Sequence, residues 1–537
     1  MKRIHLLILG AILVIAAILR LWQIGQVPPS PDWDEASLGY NAYSILETGR
    51  DEYGTFLPVV LRSFDDYKPP LYAYLATVPI GLFGLDTWVV RLPSAIFGIF
   101  AVWGCYELAY FLFRKREIAF LSSFLLAISP WHIQFSRIAF EANIGVTLNI
   151  WSFVFFFKSF VRPKWLLASA FASGLAIYAY HSERLFLPLL LFIAGWIYRK
   201  ELLSHKKIFF YAILVGALTI APLSRVLFDR DTLMRLRGTS SLADQTGLLA
   251  RSVKKLEEDR KKGNLWGPVF DNRRLVWFKT VAEGYLSHYS FKWLFLTGDN
   301  PRHHAPDMGL LYLWELPFLL WGIYVVFCQK DKSKLFLLSW FIVAPLAASP
   351  TTELPHAIRS LVFLPTFQLF TASGIFQFVL WVKYRKNMTK QMTATVVVIA
   401  AILNVIYYLH MYFGHLNSEV SEYWQYGYKQ AVSYAQSHAS QYKKIIVSTK
   451  LEQPYMFFLF YLHYDPAKYL AEGGTASGGF AEKRNHFDVY QFRPIDWSKE
   501  VKDGSTLYIG SPSEIVSTPL NTIYYLDGTE AMRIADR

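Results

Sequence analysis

Pro31-Asp32-Trp33-Asp34-Glu35, followed about thirty residues on by Asp65-Asp66-Tyr67-Lys68-Pro69-Pro70, is the pair of stretches that decides how this chain folds. The first stretch comes just after an apolar run, Ile4 to Leu19, and the second opens another, Leu71 to Leu85. Three carboxylates within four positions are costly to place in hydrocarbon, and water at the headgroup level is their natural home. A lysine followed by two prolines is excluded from a helix interior. It can open a helix, because proline is tolerated in the first turn. Both clusters are therefore expected to face one polar cavity at a membrane surface, and that cavity is the candidate active site.

The rest of the chain agrees with a membrane setting. Of 537 residues, 53% are hydrophobic, 17% aromatic and 18% charged, against about 25% charged in a soluble domain. Apolar runs near the length of a bilayer span recur along most of the sequence. The formal charge of +13 sits in short basic clumps between these runs, as the positive-inside rule expects, which argues against a nucleic-acid partner. Cys105 lies inside one apolar run and Cys328 at the end of another, so the chain has no disulfide framework. Met1-Lys2-Arg3 and the following run resemble a signal peptide. No small-residue cleavage site follows Trp22, so an uncleaved first span is expected.

Lys2 and Arg3 place the N-terminus in the cytoplasm. Alternating the remaining runs by the same rule gives about eleven spans. After the first come Val89 to Phe113, Ile118 to Pro130, Ile138 to Phe160, Trp165 to Tyr180, Leu185 to Tyr198 and Ile208 to Val226. Met308 to Phe327, Leu335 to Ala348, Ile358 to Trp381 and Met392 to Phe413 complete the set. Basic clumps such as Arg114-Lys115-Arg116, Arg199-Lys200 and Lys383 with Arg385-Lys386 fall on the inner side. The expectation is an α-helical multi-pass membrane protein. Residues 1–413 form the transmembrane domain, with external loops 23–88 and 227–307, and residues 414–537 form a small external α/β domain. In the first loop, Asp34 to Thr48 and Leu71 to Leu85 suit two interfacial helices. In the C-terminal domain Tyr423 to Ala439 reads as a helix, Lys444 to Val447 and Thr506 to Ile509 as buried strands, and Ile523 to Gly528 as a strand entering a turn. The glycine-rich Gly473 to Gly479 lacks the lysine and spacing of a phosphate loop and reads as a flexible loop.

A hydroxyl that attacks as a nucleophile loses its proton, and a carboxylate within hydrogen-bond reach can take it. Asp34, Glu35 and Asp66 are the candidate catalytic acids, with Asp65 as an additional binding acid. A plain helix cap is the competing role for Asp34. Asp32-x-Asp34 could also hold a divalent metal through oxygen ligands, although two acids are a weak signal and no cofactor is required. Lys68 is the candidate cation for a lipid-linked phosphate, weighed against a surface ion pair or a snorkelling anchor. Polar residues recur at predicted outer ends of spans: Arg91, His132, Arg137, Glu141, His181, Arg184, Arg302, His303, His304, His356 and Arg359. Interface anchoring explains such residues singly, but their gathering at one face suggests substrate binding. The histidines are too few at ligand spacing to indicate zinc.

Together these residues resemble the GT-C membrane glycosyltransferases, in particular the superfamily of protein O-mannosyltransferases and lipid A aminoarabinose transferases. The resemblance is carried by Asp34-Glu35 after span one, Lys68-Pro69-Pro70-Leu71, Arg91-Leu92-Pro93-Ser94-Ala95 and Ser129-Pro130, and it covers the first 200 residues best. It implies an inverting transfer from a polyprenyl-phosphate sugar to a protein, lipid or glycan acceptor on the outer face. By that likeness Asp34 matches the family's acidic base or acceptor ligand, and Lys68 the lysine near the carrier phosphate. The family's acid directly before that lysine is replaced here by Tyr67, with Asp66 one place earlier, so the second acidic role falls to Asp65 or Asp66. A flippase or transporter would need polar groups at the bilayer midplane and an internal repeat. A membrane scaffold with a partner-binding cap would tolerate replacement of Asp34 and Lys68. A surface-polysaccharide polymerase or ligase shares the topology class, and its substrates would set it apart.

Overall fold

The computed structural model describes residues 2–64, 66–227, 245–384, 387–479 and 483–537, so Asp65, Arg385 and Lys386 lie outside the described residues. The chain forms two compact units. One comprises Met1–Val102, His132–Ile144 and Val405–Arg537, and the other Trp103–Trp131 and Gly145–Asn404.

The first unit begins with α1 (Lys2–Leu21), whose Ile4, Leu6 and Leu7 are exposed, a surface suited to lipid. Helix α2 (Trp33–Thr48) follows, then a hairpin of β1 (Leu61–Ser63) and β2 (Asp66–Lys68), then α3 (Leu71–Phe83) and α4 (Thr87–Phe113). Helix α2 lacks the exposed polar face expected of an amphipathic helix. Glu35 to Ala42, Ser44 and Ile45 are all buried. The helix packs on α3, and it is also covered by the helices Pro454–Tyr461 and Pro466–Ala471 from the far end of the chain. Gly39 permits this approach, since a Cβ there would stand 2.7 Å from both Phe460 and Val90.

Residues 414–537 contain the expected α/β elements. A six-stranded sheet runs β4 (His486–Phe487), β5 (Tyr490–Phe492), β3 (Lys444–Val447), β6 (Thr506–Gly510), β8 (Glu530–Ala535), β7 (Asn521–Tyr524). Its centre is parallel, with Ile445 opposite Tyr490 and Leu507, and its edges are antiparallel. Ile446, Ile495, Trp497, Tyr508, Ile515 and Ala535 form one apolar cluster in this domain. The helix expected from Tyr423 starts only at Tyr428, because Gly427 adopts φ 113° and breaks the run.

The glycine-rich stretch is more tightly held than a flexible loop. Thr475 donates its hydroxyl to Glu52 at 2.7 Å and its amide to the Glu52 carbonyl at 3.1 Å, and Gln453 donates to the Gly478 carbonyl at 2.8 Å. Glu52 is fully buried and also accepts from Asn41 at 3.1 Å and Tyr455 at 3.2 Å. Burial pushes its carboxyl up from 4.5 to about 7, against the opposing pull of those hydrogen bonds. A raised folded-state value means that the native state binds the extra proton. The associated stability, on the order of 3 kcal/mol, is therefore full below about pH 4.5 and is lost as pH rises through about 7. In detergent the thermal midpoint should fall between pH 5 and pH 8, and Glu52→Gln should flatten that decline. A variant whose decline parallels wild type would assign it to other groups.

Helix α5 (Arg116–Ile128) meets α6 (Pro130–Arg137) at a 56° bend. Pro130 accounts for the bend by interrupting the helical hydrogen bonds. Helix α7 (Ala142–Ser159) starts four residues later than the expected span at Ile138, since Arg137 and Ala139 are held by α1 and Glu35 instead. In the second unit, helices Leu316–Cys328 and Leu364–Tyr384 pack backbone to backbone at Gly322 and Gly374, where a Cβ on either would strike the facing chain. The expected loop 227–307 contains helices Gln245–Lys261 and Arg273–Ser287.

Five described helices are long and apolar enough to cross a bilayer, six if α5 and α6 count as one, against the eleven expected. Several expected spans are shorter as helices: the run expected from Trp165 to Tyr180 is helical for only 12 residues, ending at Ala176.

Candidate active site

The first unit assembles its polar centre at the N-terminus of α2. The residue that caps this helix is Asp32, which is fully buried and accepts from the Glu35 amide at 2.9 Å, so the capping role anticipated for Asp34 falls to its neighbour. The β1–β2 hairpin pairs Leu61 with Lys68 and returns that lysine to α2, where its ammonium donates to the Asp34 carboxylate. Lys68 is 7% exposed, whereas the Asp34 side chain keeps 31% of its surface open.

Burial works against the Lys68 charge, but Asp34, Glu141 and Asp66 together hold its pKa above the ordinary lysine value. Asp66 also accepts from the Tyr67 amide at 2.8 Å. Glu141, 7% exposed, reaches this centre because Ala139 is anchored to α2: its amide donates to Glu35 at 2.6 Å. The centre therefore carries three carboxylates and one ammonium, a set that favours hydroxyl donors and cations around a single anion-binding group.

Glu35, expected as a catalytic acid, is occupied by structure. Its oxygens accept from Arg91 Nε at 2.8 Å and Nη2 at 2.7 Å in a fully buried pair. Arg91 completes its donors on the carbonyls of Ile24 at 2.9 Å, Pro28 at 2.9 Å and Ser30 at 2.8 Å. All five N–H groups are thus engaged, tying α4 to the chain that leads from α1 into α2. Arg137, also expected to bind substrate, is buried and donates to the carbonyls of Leu19 at 2.9 Å, Gln23 at 3.3 Å and Val27 at 2.8 Å. Both arginines hold the backbone running from the end of α1 to α2. In the same unit, Arg20 meets His132 Nδ1 at 2.7 Å and Tyr412 donates to Gln134 at 2.6 Å. Nothing in the sequence signals these partners beyond the polarity of His132.

The remaining candidates belong to the second unit. His181 lies in the turn before the helix Glu183–Ile197, and Arg184 lies in its first turn. Arg359 donates to Thr351 at 2.9 Å and the Thr352 carbonyl at 2.6 Å. Arg302 lies in the loop that also carries His303, and His303 and His356 converge on Asp299, a residue not singled out in the sequence. Among the described residues this trio is the group of three His, Cys, Asp or Glu side chains whose donor atoms lie close enough to hold a metal ion. Glu183, which the sequence does not mark out, is buried and accepts from Asn149 at 2.6 Å.

A family model described as dolichyl-phosphate-mannose-protein mannosyltransferase matches residues 67–224, a stretch that includes Lys68, Arg91 and Glu141. No curated protein sequence matches the chain. Among solved structures, ArnT from Cupriavidus metallidurans bound to undecaprenyl phosphate is similar with a TM-score of 0.54 and 13% identity, over 98% of this chain and 97% of that one. The oligosaccharyltransferase of Archaeoglobus fulgidus, tethered with an acceptor peptide, is similar with a TM-score of 0.52 and 13% identity over 86% of this chain. The chain spans 63% of that protein's length. At such identities the likeness is one of fold. It bears out the GT-C resemblance seen in the first 200 residues.

Proposed function

We propose that this chain is an inverting membrane glycosyltransferase that moves a sugar from a polyprenyl-phosphate donor to an acceptor hydroxyl. The observation that carries the proposal is the Asp34–Lys68 pair flanked by Glu141 and Asp66, in a chain with the fold of lipid-dependent glycosyltransferases. Lys68 takes the donor phosphate, exchanging Asp34 for a phosphate oxygen. That exchange releases the Asp34 carboxylate on the exposed side of the site, where it accepts the proton of the attacking hydroxyl. The new bond forms from the acceptor oxygen to the anomeric carbon as the carbon–oxygen bond to phosphate breaks. The polyprenyl phosphate leaves as an anion stabilised by the ammonium, so no general acid is required. Glu141 and Asp66 are placed to accept hydrogen bonds from sugar or acceptor hydroxyls. The N-terminus is assigned to the cytoplasm, and residues 414–537 with the site to the outer face, where a protein, lipid or glycan supplies the hydroxyl.

Polyprenyl phosphate without sugar tests the anion-binding half of this proposal. It should raise the thermal midpoint of wild type, and Lys68→Ala should bind it about 10- to 100-fold more weakly, the loss of one charge-assisted hydrogen bond. Unchanged binding in Lys68→Ala would move the phosphate site elsewhere.

A further inference from the structure

The geometry points to a divalent transition-metal site of the zinc type in the second unit, formed by Asp299, His303 and His356. One donor atom from each lies within 4.8 Å of the others. Asp299 Oδ2 is 3.0 Å from His303 Nδ1 and 4.0 Å from His356 Nδ1. Bonds of about 2.0–2.1 Å in a tetrahedron set ligand atoms about 3.3 Å apart, so these separations bracket the requirement. Two imidazoles and one carboxylate are the donor set that zinc and its neighbours favour, and calcium and magnesium do not.

The arrangement has two features that a simple hydrogen-bonded cluster leaves unexplained. His356 Nδ1 is buried and has no hydrogen-bond partner among the described residues, although it lies near the carboxylate. Asp299 Oδ1 is likewise buried and unpartnered among them, while Oδ2 accepts the Ala357 amide at 2.7 Å. That amide bond orients the carboxylate from outside the trio, as an outer hydrogen bond commonly does for a metal ligand. The rings of His303 and His356 stand 5.1 Å apart at their centroids. Asp299 and His356 also line a cavity of about 600 Å³ with Lys292, Thr297, Asn300 and Glu353. Three protein ligands leave a fourth position, and the cavity is where water or an anionic oxygen ligand would reach it. The ion would join the loop carrying Asp299 and His303 to the segment carrying His356, far apart in sequence. Sequence spacing alone hides the site for that reason.

The test uses the full chain in detergent with a histidine-free affinity tag, stripped with chelator and titrated with Zn²⁺ and with Co²⁺. Wild type should bind one equivalent, with the visible absorption of tetrahedral cobalt and a rise in thermal midpoint on adding Zn²⁺. Asp299→Asn, which keeps the side-chain shape, and His356→Ala should each weaken binding by about 100-fold or more, since loss of an outer partner alone costs about 10- to 100-fold. Exposed His410 and His415, whose Nε2 atoms are 3.1 Å apart, provide the control. His410→Ala/His415→Ala should leave the equivalent in place. Absence of binding to folded wild type, or binding that survives Asp299→Asn and His356→Ala and is lost in the control, would overturn the assignment. The readout is metal binding and does not depend on sugar transfer, so the site stands or falls apart from the proposed activity.

Discussion

Asp34→Asn is expected to lower the rate of sugar transfer by about 10²- to 10⁴-fold while leaving the protein folded. The substitution keeps size and a hydrogen-bond acceptor for Lys68 but removes the basicity that the attack requires. Its cost in stability should be small. Asp34 is partly open to solvent, with 31% of its side chain exposed, and a screened ion pair contributes about 1 kcal/mol or less. Lys68 also keeps the charges of Glu141 and Asp66. Donor binding should therefore change little, and the loss should fall on kcat. A rate within about tenfold of wild type would remove Asp34 from the role of base, since that lies well below the contribution of a positioned base.

Glu35→Gln should do the opposite: leave the reacting groups in place and undermine the fold around them. It strips the negative charge from a fully buried guanidinium, and removing one partner of such a pair costs about 3–5 kcal/mol. Replacing both partners with leucine should not restore stability, which sets this pair apart from buried ion pairs that tolerate apolar replacement. Arg91 also satisfies the carbonyls of Ile24, Pro28 and Ser30, and leucine would leave all three without that donor. Arg91→Lys should fail for a related reason, because an ammonium has three donors where five are in use. Thermal unfolding in detergent checks each variant. A midpoint for Glu35→Gln near that of wild type would show that the pair is dispensable to the fold.

The contrast between Asp34 and Glu35 shows where sequence reading succeeds and where it stops. Neighbouring acids after an apolar run mark where the chain leaves the span, because carboxylates are costly in hydrocarbon and at home in water at the headgroup level. Which acid meets Lys68 depends on helix phase: α2 starts at Trp33, which turns Glu35 inward to Arg91 and leaves Asp34 toward Lys68. The hairpin that returns Lys68 is two three-residue strands, too short for periodicity to reveal. Apolar runs are legible in the sequence, but helix lengths are not, because turns and bends such as that at Pro130 shorten helices inside apolar sequence. Burial of α2 escapes sequence reading because its cover, including Phe460, comes from more than 400 residues away. Distance along the chain hides the meeting of Asp299 with His356 in the same way.

Sugar transfer by the purified chain is the measurement that tests the central claim most directly. A panel of radiolabelled polyprenyl-phosphate sugars would be offered with a membrane extract as acceptor, to wild type, Asp34→Asn and Lys68→Ala in parallel. The expected result is label passing from lipid to acceptor in wild type, with anomeric inversion, and its loss in both variants while both remain folded. Transfer that continues undiminished in both variants would contradict the assignment of the reaction to Asp34 and Lys68.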